Sequence, residues 1–178
     1  MKGSRIGSLV GAVAGMAFIF ANSTEFASSV TTIVRVAGAL AFLAVLWLAV
    51  IKPPPSAPER PPSRAAIRTY GFSVTAMVLA MFAGSSVISR VLEQPNLVVL
   101  WVIFVVGAHF LPFAKAFAAP VFTWLSLTMM GLAVVGTVLA LTVDPVAAKW
   151  TAVATGLTLL LFSFLGSRMK SGHPVAAV

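Results

Sequence analysis

The sequence predicts a single all-α domain over residues 1–178: a polytopic integral membrane protein built as a bundle of six transmembrane helices, with both termini in the cytoplasm. Three observations predict it. Hydrophobic residues make up 60% of the chain and charged residues only 9%, where a soluble domain carries about 25% charged. The apolar residues come in long blocks, not in the alternation or stripes of elements that face water on one side. Basic residues gather at alternate block ends. The blocks cover residues 3–22, 30–51, 67–92, 97–117, 121–143 and 146–165. Each approaches or exceeds the roughly 20 residues needed to cross a hydrocarbon core about 30 Å thick. Backbone amides in lipid must pair within their own segment, so each block is expected to be a helix.

The first block follows the basic start MKGSR and runs into ANSTEF. The same pattern describes a secretory signal peptide, with a mature chain beginning near Thr24. Gly7, Gly11 and Gly15 recur every fourth residue and form a face on which another helix packs closely, so the block is read as a retained span. The second block carries Arg35 a little way inside one end and Trp47 near the other. After it comes the one long connection, a Pro-rich cytoplasmic loop at residues 52–66 that opens KPPPSAPERPPSR. Proline removes an amide donor and favours extended polyproline II, so the loop is expected to be a stiff spacer. The same chemistry makes it a candidate dock for a protein that reads proline-rich segments.

The third block holds Gly84, Ser85 and Ser86 and closes with Arg90. The fourth contains VVGAHFLPFAK, which places His109 and Pro112 inside an apolar stretch. The fifth has no ionisable residue and carries Gly131 and Gly136, expected with Gly84 to serve packing. The sixth places Thr151, Thr155 and Thr158 on one helical face. Trp47, Trp101, Trp124 and Trp150 lie nearer block ends than centres, as interfacial anchors do.

Six spans sort the basic residues by side. Lys2, Arg5, Lys52, Arg60, Arg64, Arg68, Lys115, Arg168 and Lys170 share one side, leaving Arg35, Arg90 and Lys149 near the other. Nine of the 12 basic residues on one side is a positive-inside asymmetry. It places that side in the cytoplasm, in the cell (inner or plasma) membrane. The net charge of +8 is thereby a topology signal. No basic–aromatic platform or nucleic-acid module accompanies it, so nucleic acid is not an expected partner; the lipid bilayer is.

Ionisable groups inside a membrane are expensive and are functional candidates by default. His109 is the foremost: a neutral imidazole donates from one nitrogen and accepts at the other. Pro112 cannot donate to the carbonyl of Ala108, and with Gly107 it is expected to bend or break the helix beside the imidazole. That is the kind of polar spot transporters place at a substrate site near mid-bilayer. Arg35 and Arg90 are expected either to reach headgroups and surface acids or to form an electropositive outer vestibule. Ser86 and Thr155 complete the candidate substrate path: His109, Pro112, Arg35, Arg90, Ser86, Thr155.

Other chemistries lack their residues. The chain has no cysteine, which excludes disulfides and thiolate catalysis. No HExxH appears, His173 gives His109 no second ligand in the bilayer, and neither a metal nor a haem cofactor is expected. A Ser–His dyad between residues 84–86 and His109 lacks an oxyanion arrangement, so no enzymatic activity is expected. The function expected is a permease or channel-like transporter of a small anionic or zwitterionic solute. Six spans are few for an alternating-access carrier, so such a protein would work as a homodimer. The alternative is a non-catalytic subunit or scaffold of a larger complex.

Overall fold

A computed structural model describes residues 2–52, 63–116 and 119–168. Six helices follow one another: α1 (Lys2–Asn22), α2 (Ser28–Val45, prolonged by a π-helical turn over Leu46–Ile51), α3 (Arg64–Arg90), α4 (Val98–Ala116, entered through a 3₁₀ turn at Pro95–Leu97), α5 (Val121–Thr142) and α6 (Ala147–Arg168). There is no strand among the described residues. Five helical stretches are long and apolar enough to cross a membrane; the described apolar part of α1, Gly7–Asn22, is shorter. The 21 residues of α1 nonetheless rise about 31 Å at 1.5 Å per residue. The chain is an all-α polytopic membrane protein.

Local chemistry sets the helix ends. Ser63 Oγ accepts from the Ala66 amide at 3.1 Å, so α3 starts at Arg64 and the stretch expected to be loop as far as residue 66 is partly helix. Every proline of that loop, and with them the proposed docking segment, lies outside the described residues. At the far end of α3 the amide of Gln94 bonds back to Ile88 O at 3.0 Å. Between them Glu93 sits at φ 54°, a left-handed residue of the kind that ends helices. Asp144 Oδ1 accepts from the Val146 amide at 2.8 Å and starts the turn into α6. α4 runs unbroken through Pro112 to Ala116, so the expected helix break is not found.

Neighbouring helices run antiparallel, and packing proceeds in space from α2 to α1, α6, α5, α4 and α3. α6 is central and also touches α2 and α4. Buried residues make up 39% of its apolar stretch against 6% for α3, which leans principally on α4. In lipid, association rests on close packing because the solvent is as apolar as the side chains. The α1–α6 crossing shows how: a Cβ built on Gly15 would come within 2.7 Å of Gly156 O, and one built on Gly11 would run into Ser163. Gly7 is different. It is exposed with nothing near it, and Gly131 likewise faces open space, so neither serves the packing expected of it. Gly84 and Gly136 do, against Trp101 and Thr151. Gly107, expected to lend flexibility, is buried against Met129 and Met130 of α5.

Candidate functional site between α3 and α4

α3 and α4 form a hairpin folded about Val91, and each offers the other one stripe at helical spacing. From α3 come Ser73, Ala76, Met77, Ala80 and Gly84; from α4 come Trp101, Phe104, Val105, Ala108 and His109. The seam is tied near both ends. Toward the turn that joins the two helices, Trp101 Nε1 donates to the Ala80 carbonyl at 2.9 Å. The absence of a side chain at Gly84 makes this possible, because a Cβ there would collide with the indole. Toward the basic end, Ser73 Oγ lies 3.1 Å from both His109 Nδ1 and the His109 carbonyl oxygen.

That second tie fixes the imidazole. A hydroxyl has one proton, and the carbonyl can only accept, so the Ser73 proton goes to His109 O. With the hydroxyl proton on His109 O, the contact with the ring is made by the tautomer that carries its proton on Nδ1. Aromatic rings brace the imidazole: Phe113 meets it edge-on at 4.5 Å, and Tyr70 stacks on Phe113 at 5.4 Å. Between the two ties the small residues of α3 leave an open groove of about 240 Å³, lined by Ala76, Met77, Ala80, Phe104 and Ala108 with Ser73 and His109 at one end.

The remaining expected path residues do not converge on it. Pro112 is half-buried on α4, one turn beyond Ala108. Arg35 belongs to the opposite flank: its Nε donates to Ser23 Oγ at 2.9 Å, its Nη2 to Phe20 O at 3.2 Å, and its guanidinium lies over the Phe20 ring. It thus satisfies a carbonyl in the last turn of α1, where the helix dipole is negative. Glu25 pairs with Lys149 at 3.0 Å, and Phe26 stacks on Trp150 beside it. Arg90 ends α3, exposed and without an ion pair among the described residues. Ser86 is exposed near that same end, about 20 Å along α3 from Ser73. Thr155 is fully buried in α6 and donates to Thr151 O at 2.9 Å.

Comparison with family models, curated proteins and solved structures finds no match. The seam itself must then speak for the chemistry. Ser73 is the residue that sequence reasoning missed, although a signal existed. Both residues lie on the inward stripes of an α3–α4 hairpin, but which of their turns meet is set by the shape of the connection at residues 91–97. No metal-binding group of three or more His, Asp or Glu occurs among the described residues.

Proposed function

We propose that this chain is a non-catalytic membrane subunit or scaffold, whose intramembrane polar groups fasten helices to one another. The observation that carries the reading is the Ser73–His109 tie: a hydroxyl from α3 engages both the ring and the backbone of the α4 histidine. Arg35 supports it, since its guanidinium joins α2 to the end of α1. The threonine hydroxyls of α6 donate within their own helix and tie no neighbouring one. The nine-to-three division of basic residues favours a cell membrane with cytoplasmic termini. A liposome flux panel over small anions, cations and neutral solutes tests the reading. Wild type and His109→Ala are expected to match empty liposomes; solute-selective flux lost in His109→Ala would overturn it.

A permease of a small anionic or zwitterionic solute is the second reading, and the open groove beside His109 favours it. On that reading solute enters between α3 and α4, and a second copy of the chain completes the pathway.

A further inference from the structure

We propose that the open α3–α4 groove seats one anionic phospholipid, its phosphate between Arg68 and Lys115 and one acyl chain laid along the groove toward Ala80. The two rims of the groove carry the argument. Thr69 stands seven residues, two helical turns, before Ala76 on α3, and Lys115 stands seven after Ala108 on α4. Each rim therefore continues down its own helix to the basic end. There a second hollow, of about 420 Å³, opens against Ala65, Arg68, Thr69 and Phe72. Arg68 lies five residues before Ser73, and Lys115 lies six after His109, the partner of Ser73. The two cations thus share one level, about 8 Å below the tie at 1.5 Å per residue.

Charge selects the headgroup. Arg64, Arg68 and Lys115 are exposed and make no ion pair among the described residues. The described acids, Glu25, Glu93 and Asp144, sit at the opposite end of the bundle. A choline headgroup brings a cation to these cations; a headgroup of net negative charge does not. Apolar walls select the chain. From the cations toward the bilayer centre lie Ala76, Met77, Ala80, Phe104 and Ala108, and the polar groups of Ser73 and His109 bond each other. The groove runs about 18 Å from Arg68 to Ala80, close to the depth of one leaflet, half of a hydrocarbon core about 30 Å thick. α3 leans principally on α4, so a lipid reaches the groove laterally. A second copy of this chain fits less well. Copies in one membrane share an orientation, so a twofold contact here sets Arg68 and Lys115 against their own counterparts. The site holds whether the chain is a subunit or a permease.

Native mass spectrometry of the full chain with dioleoyl phosphatidylglycerol or dioleoyl phosphatidylcholine tests it. One phosphatidylglycerol is expected to stay bound, about five- to tenfold tighter than phosphatidylcholine. Arg68→Gln and Lys115→Gln are each expected to weaken it about fivefold, the pull of one basic side chain at a membrane surface. Arg168→Gln removes a cation from the same end but on α6, and is expected to leave binding unchanged. In nanodiscs, phosphatidylglycerol with a diazirine midway along its chain is expected to label residues 76–80 and 104–108. Ala76→Leu, whose longer side chain fills the groove, is expected to lose that label. Equal retention of the two lipids by wild type, which needs no variant, would overturn the proposal. So would a loss in Arg168→Gln as large as in Arg68→Gln, the mark of diffuse surface attraction, or undiminished groove label in Ala76→Leu. Label that avoids the groove in a protein of dimeric mass would put a second copy there and overturn it too.

Discussion

Single residues here show how a charge or a strained backbone is tolerated in an apolar chain. Arg35 persists inside a span because its planar fork meets a hydroxyl, a helix-terminal carbonyl and a ring face together. Glu93 is held at φ 54°, where a side chain costs about 1–2 kcal/mol that glycine avoids. Glu93→Gly is therefore expected to raise stability by about 0.5–1 kcal/mol, after allowing for the freer unfolded chain; thermal unfolding in detergent measures it. Ser73→Ala removes the partner of both His109 groups and is expected to cost about 0.6–2 kcal/mol, the range for hydrogen bonds between membrane helices. A Ser73→Ala protein as stable as wild type would show that the tie adds nothing.

Among the elements, the glycine spacing of α1 separates into functional and idle positions. Gly11 and Gly15 meet α6, with Gly15 and Gly156 bringing two backbones into contact, while Gly7 projects away. Gly15→Leu is accordingly expected to destabilise by at least the 1–3 kcal/mol typical of overpacking, because the atom it meets is backbone and cannot swing aside. Gly7→Leu is expected to stay within about 0.5 kcal/mol of wild type. The same thermal unfolding assay on both variants decides it; equal losses would refute the crossing. The α3–α4 hairpin follows a different rule. Its helices are joined by three side-chain hydrogen bonds across a seam that is not filled.

For the whole molecule, α6 is the hub and α2 and α3 are the flanks, an order in space that differs from the order in the chain. Alternating direction still puts the helix ends that carry Lys2, Arg64, Lys115 and Arg168 at one end and the Glu25–Lys149 pair at the other. The chain has no cysteine, so single introduced thiols report topology cleanly. Glu25→Cys and Pro58→Cys are expected to react with an impermeant maleimide from opposite faces of the membrane. Reaction of both from one face would remove the six-span arrangement and every depth argument with it.

The sequence by itself determined the class, the helix count and the helix limits to within a few residues, because apolar length and capping residues act locally. It also singled out His109, since an imidazole in an apolar run is conspicuous wherever the run folds. Only the tertiary structure decided what each polar group meets. Arg35 and Arg90 looked alike as outer-side cations, yet one is bound to α1 and the other stands free of ion pairs among the described residues. Gly7 and Gly15 shared one spacing and separated because α6 passes only one of them. Periodicity fixes which residues share a helix face; which helix lies against that face depends on contacts distant in sequence, and those are a property of the assembled bundle.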